Sequence, residues 1–181
     1  MTRSAQRPLA GLVCALPLES RPARRHAQLA VRVCEVSAPA LLDAIEELRR
    51  GGSRLIVSWG TAGALSPRLR AGELVVPARV VSGDGRALST DAGCRAGLLR
   101  SLRGRPAVHG GALLESRSVL AAPADKQRAG RDHAADAVDM ESHRIGDACA
   151  ALGMPFLVVR AIVDELDDRL PRSVTAAFRA G

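Results

Sequence analysis

Short apolar runs separated by polar, periodic stretches organise this chain. Residues 9–16 (LAGLVCAL) form a continuous apolar run, as expected of a strand covered on both faces. QLAVRVCEV alternates and predicts a second strand. SAPALLDAIEELRRGG predicts a helix: Ser37 suits the cap and Pro39 the first turn. Leu41, Leu42, Ile45 and Leu48 give the apolar stripe, and Gly51 and Gly52 end it. RLIVSW is a buried strand that runs into GTAGAL, and GELVVPARVV is a further strand region. SGDGRALSTDAGCRAG is turn-rich and then helical into LLRSLRG. AVHGGALLES reads as a strand and APADKQRAGRD as a short helix. VDMESHRIGDACAALG predicts a longer helix closed by Gly153, and MPFLVVRAIVD is the last strand. A polar, then weakly helical tail follows.

Strands alternate with helices, and most strands are apolar throughout. That pattern predicts an α/β fold, one domain over residues 1–181, with a mixed, mostly parallel central sheet flanked by helices on both faces. A chain of 181 residues with 47% hydrophobic content can bury one sizeable core. No apolar stretch is long enough to span a bilayer.

Composition narrows the function. The net charge is +7, nearly all of it arginine, and Lys126 is the only lysine. The arginines are scattered, which fits solvated faces better than a nucleic-acid footprint. With two Phe, one Trp and no Tyr, the chain lacks the stacking platforms of a single-strand binder. Cys14, Cys34, Cys94 and Cys149 form no C-x-x-C pair and read as buried free thiols of a reducing, cytoplasmic compartment. His26, His109, His133 and His143 have no metal-ligand spacing, so no metal is expected. No G-x-S-x-G elbow is present.

In open α/β sheets, ligands bind beyond the carboxyl ends of the strands. Glu19 lies there after the first strand, the Gly60, Thr61, Ala62, Gly63 turn after the third, and Asp164 after the last. Glu141 joins them by periodicity. It lies one turn before Ile145 in the apolar stripe, so it starts on the inward face of its helix, in the first turn. Each has a plain alternative: a loop acid for Glu19, an ion pair with Arg144 or Arg160 for Glu141, a cap for Asp164.

These stretches resemble a known family. VSWGTAGALSPRLRAGELVVPARVV is similar to the G-x-A-G turn and following strand of nucleoside phosphorylases and methylthioadenosine nucleosidases. AVDMESHRIGDACAALGMPFLVVRAIVDELDD is similar to the family's M-E segment, G-x-P-F strand and R-A-I-S-D end. The D-M-E-S-H wording resembles most the hopanoid-associated phosphorylase branch.

The resemblance implies cleavage of the N-glycosidic bond of a purine nucleoside. The substrate would be of adenosine type, with a 5′-substituted or hopanoid-linked adenosine among the candidates. Asp164 would protonate or hydrogen-bond purine N7. Met140 and Glu141 would hold the ribose, and Glu19 would activate water. Gly60 and Thr61 would contact the substrate, with Thr61 also near the water or phosphate site, and Val119 and Leu120 would line the base pocket. Ser58 stands where phosphorylases keep a phosphate-binding Arg, with Arg21 the substitute; phosphate is a co-substrate only if one of these serves. No cofactor is implied. A homo-oligomer is implied, and so is a shortened C-terminus. Two rival readings stand beside this one: a family member that binds without catalysis, and a basic nucleic-acid-binding module.

Overall fold

A computed structural model describes residues 9–103, 107–171 and 173. The elements run β1 (Ala10–Cys14), α1 (Pro17–Ala23), β2 (Leu29–Val33), α2 (Ala38–Arg50), β3 (Ile56–Ala64), β4 (Leu74–Val75), β5 (Arg79–Ser82) and β6 (Ala87–Ser89). They continue with α3 (Ala92–Ser101), β7 (Val108–His109), β8 (Ala112–Glu115), α4 (Pro123–His133), β9 (Ala137–Asp139), α5 (Ser142–Ala151) and β10 (Phe156–Asp164). The strands form one mixed sheet in the order β6-β5-β8-β9-β3-β10-β4-β7, with β1 between β2 and the first half of β3. Most pairings are parallel. The antiparallel ones are β5–β6, β3–β9 and β4–β10.

The apolar strands are explained by cover on both faces. Along β10, Phe156, Val158 and Ile162 pack with Leu41, Ile45 and Leu48 of α2 and with Ile145 and Cys149 of α5. Leu157 and Val159 point the other way, to Ala23 of α1 and Leu98 and Leu99 of α3. This is the period-two alternation of a strand buried on both sides. The stripe of α2 is Leu41, Ala44, Ile45 and Leu48; Leu42 is 36% exposed.

Three boundaries differ from the sequence expectation. GELVVPARVV divides into β4 and β5 around Pro77, which cannot donate to a ladder. AVHGGALLES divides into β7 and β8 at Gly110 and Gly111, the latter at φ 93. The predicted helix VDMESHRIGDACAALG loses its front: Ala137–Asp139 is β9, and α5 begins at Ser142. PLESRPA, to which the sequence pattern assigned no element, is helix α1 with Pro17 at its start. The weakly helical tail lies outside the described residues. All four cysteines are free, Cys14 and Cys149 buried and Cys34 and Cys94 half-buried. Among the described residues no helix is long and apolar enough to cross a membrane.

Two irregularities prepare a site. β3 pairs with β1 only through Ile56–Ser58 and with β9 only at Gly63 and Ala64. Between them, residues 59–62 have no strand partner on that side, so the sheet splays open. On its other side β3 pairs with β10 along its length, but a bulge sits between Ile162 and Asp164. The extra residue, Val163, is 58% exposed, and Asp164 moves into register with Gly63, where it is 8% exposed.

Candidate active site

The splay between β1 and β9 forms the floor of a cavity of about 160 Å³, lined by Glu19, Thr61, Gly63, Val119, Leu120, Met140, Glu141 and Asp164, with Leu16, Val163 and Leu170 at its mouth. Glu19 enters from α1. Its Oε1 accepts from the Thr61 backbone N–H at 2.9 Å and from the Thr61 hydroxyl at 3.1 Å. That amide lies in the stretch where β3 has lost its neighbour, so a side chain replaces the missing strand. Oε2 accepts from the Leu16 N–H at 3.2 Å, and the Trp59 indole donates to the Glu19 carbonyl at 2.9 Å.

Glu141 is the N-cap residue of α5, at φ −148 and ψ −19, and not part of the first helical turn. It faces inward all the same, only 7% exposed. Its Oε2 accepts from the Met140 N–H at 3.1 Å and its Oε1 from Arg160 Nη2 at 2.8 Å. Of the two arginines weighed from sequence, Arg160 is the partner. Arg144 binds Glu115 at 2.8 Å instead.

Arg160 is fully buried in the middle of β10. Its Nε donates to Asp139 Oδ2 at 2.8 Å; Nη2 donates to Ser58 Oγ at 2.6 Å and Ser142 Oγ at 2.9 Å as well as to Glu141. Nη1 has only the Val159 carbonyl, at 3.5 Å. It lies beside Gly60, where an added Cβ would sit 2.9 Å from Nη1 and 2.8 Å from Glu19 Oε1. An under-used guanidinium N–H therefore adjoins the Glu19 carboxylate. Burial pushes the Glu141 carboxyl up to about 7, against the downward pull of Arg160 and with the added push of Asp139 and Glu19.

Asp164 stands at the other end of the floor. Its carboxyl packs on Gly63, where a Cβ would meet Oδ2 at 2.9 Å. Glu19 packs on Gly60, three residues back on the same strand. Lys126 Nζ lies 2.5 Å from Asp164 Oδ2, yet Oδ2 makes no hydrogen bond. The ammonium donates instead to the carbonyls of Glu165 at 2.6 Å and Asp168 at 3.0 Å. The Asp164–Lys126 contact is thus a close approach outside the hydrogen bonds that hold the ammonium.

The remaining candidates fall outside the lining. Ser58 is fully buried beneath it, spent on Arg160 and Ser142. Gly60 backs Glu19. Arg21 is exposed on α1 and does not line the cavity. Asp139, Ser142 and Lys126 were missed as site residues, and Arg160 was weighed only as a partner for Glu141. An arginine inside the apolar run FLVVRAIV demands buried partners, and that signal was available. A larger cavity of about 670 Å³ opens beyond Leu120, but its Arg86, Arg128 and Arg144 are paired with Asp84, Asp125 and Glu115. The smaller cavity has the converging acids and the apolar walls of a small-molecule site. Among the described residues no group of His, Cys, Asp and Glu is placed to hold a metal ion.

A buried anionic end, an apolar wall and a second acid define a site for a small molecule with a polar part and an apolar part. The Phosphorylase superfamily model matches residues 35–180, and the chain belongs to that superfamily. Its enzyme class is accordingly that of the nucleoside phosphorylases and nucleosidases. No curated protein sequence matches. Solved structures do. The Campylobacter jejuni 5′-methylthioadenosine/S-adenosyl homocysteine nucleosidase is 16% identical with a TM-score of 0.75, over 94% of this chain and 95% of that one. The Helicobacter pylori nucleosidase of the same name, with butyl-thio-DADMe-Immucillin-A, is 17% identical with a TM-score of 0.80, over 97% of each chain. The Helicobacter pylori futalosine hydrolase is 16% identical with a TM-score of 0.78, over 98% and 91%. At these identities the likeness is one of fold.

Proposed function

We propose that the chain cleaves the N-glycosidic bond of a purine nucleoside of adenosine type, with water as the nucleophile. The observation that carries this is the pair of acids, Glu19 and Asp164, at the two ends of one strand-floored cavity with Glu141 between apolar walls and a buried arginine. In this reading the base lies between Val119, Leu120 and Asp164, and the ribose hydroxyls meet Glu141. The C1′–N9 bond breaks, its electron pair goes to the base, and Asp164 supplies the proton to N7. Water adds to C1′ and gives its proton to Glu19, oriented by the spare N–H of Arg160. The transition state is oxocarbenium-like, and Glu19, Glu141 and Asp139 supply the negative field it needs.

The same field argues against phosphate. Arg160 and Glu19 both lie against Gly60, and Asp139 and Glu141 already engage the guanidinium. A phosphate dianion would join three carboxylates with one shared positive charge, whereas water meets no such repulsion. The apolar mouth at Leu16, Val163 and Leu170 suits an apolar group on C5′, and a hopanoid-linked adenosine falls within that class. The family resemblance extends the proposal to a cytoplasmic homo-oligomer.

The assay is adenine release from adenosine and 5′-methylthioadenosine, with and without phosphate. Free sugar is expected in both conditions, with a loss of about 100-fold or more in Asp164→Asn. Sugar 1-phosphate would replace water by phosphate as nucleophile. Tight binding without turnover would mark a member that binds only, and equal rates for wild type and Asp164→Asn would remove Asp164 from the chemistry.

A further inference from the structure

Lys126 is the chain's only lysine, and it is fully buried. Burying an ammonium is costly unless its protons and charge are met. Here both are. Its Nζ donates to the Glu165 and Asp168 carbonyls, and the Asp164 carboxyl lies 2.5 Å from it. A compact ammonium suits that arrangement, and a planar guanidinium does not. This accounts for a lysine at one position of an otherwise arginine-only chain.

The contact also joins two walls of the cavity. Lys126 rises from the first turns of α4, just after Val119 and Leu120. Its acceptors lie at the end of β10 and in the turn that leads to Leu170, whose N–H donates to the Ala121 carbonyl at 3.0 Å. Asp164 Oδ2 is enclosed and turned toward Nζ, which leaves the carboxyl's other oxygen for a ligand.

We infer that Lys126 is a positioning residue that fixes Asp164 against the base and meets the charge left on its carboxylate once the proton has gone to N7. This rests on the glycosidic cleavage proposed above. In that step Asp164 enters as the neutral acid with its proton on the oxygen turned to the base; that O–H bond breaks, an N7–H bond forms, and the resulting carboxylate faces the ammonium.

The test compares wild type with Lys126→Met and Lys126→Gln on two substrates. One is 5′-methylthioadenosine, whose base needs a proton to leave. The other is 4-nitrophenyl riboside, whose leaving group needs none. Lys126→Met is expected to lose about 100-fold in kcat on the purine nucleoside, with KM changed by only about 3-fold, and to lose only about 3-fold on the nitrophenyl riboside. A role confined to holding the fold would lower both rates together, and that result, or an unchanged rate on the purine, overturns the inference. Should Lys126→Met fail to fold by circular dichroism, Lys126→Gln, which keeps protons for the two carbonyls, is read in the same way. A wild type inert toward both substrates overturns the functional proposal and the role of Lys126 with it. Parallel losses in an active enzyme overturn the role of Lys126 alone.

Discussion

Gly63→Ala is a one-methyl perturbation aimed at the acid. Gly63 has an ordinary backbone conformation, with no positive φ, so alanine strains nothing in the main chain. The new Cβ would stand 2.9 Å from Asp164 Oδ2, 3.1 Å from Oδ1 and 3.3 Å from Cγ. Relaxed contacts between such atoms need about 3.5 Å, so the carboxyl must retreat by about 0.5 Å. It cannot do so freely, because Lys126 lies 2.5 Å away and is itself held by two carbonyls. A misplacement of 1 Å costs about 100-fold, so half that displacement should cost about 10-fold in kcat. The packing strain should also lower stability, by about 1–3 kcal/mol. Adenine release gives the rate, and a denaturant melt gives the stability. Gly83→Ala is the control, since its Cβ would have only the Glu115 carbonyl, 4.0 Å away. If Gly63→Ala turns over at the wild-type rate, Asp164 is not seated as described.

Two further outcomes follow from the buried network. Arg160→Met strands Asp139 and Glu141 without their cation and should cost about 3–5 kcal/mol in a denaturant melt, a deficit that narrows at low pH as the orphaned carboxylates take up protons. Glu141 is raised to about 7, so its ionised form, the better acceptor for ribose hydroxyls, is lost as pH falls through 7. Nucleoside affinity by calorimetry should therefore weaken from pH 8 to pH 6, and Glu141→Gln should flatten the profile; a flat wild-type profile contradicts this role.

How much of this was legible in the sequence depends on the kind of signal. The apolar runs gave the strands because a sheet covered on both faces needs nothing but apolar residues. The carboxyl-edge rule brought Glu19, Thr61 and Asp164 forward because strand ends are local features. Glu141 was placed inward by helical counting, although it proves to be the cap of α5; the inference survived because a cap residue continues the same face. Pro77 and the Gly110–Gly111 pair split two strands that periodicity alone had joined. What stayed hidden is non-local. The splay of β3 depends on β1 and β9, distant in sequence, pairing with different halves of one strand. The bulge at Val163 shows only against its partner strand. Arg160 and Lys126 carried signals, an arginine in an apolar strand and a single lysine among arginines; the first was tied only to Glu141, and the second names no partner.

The most direct measurement is the structure of the protein with adenine bound. Adenine is expected between Val119 and Leu120, with N7 within hydrogen-bond distance of the Asp164 carboxyl and N9 directed toward Glu141. Adenine bound elsewhere, or seated in this cavity with N7 turned away from Asp164, would contradict the account.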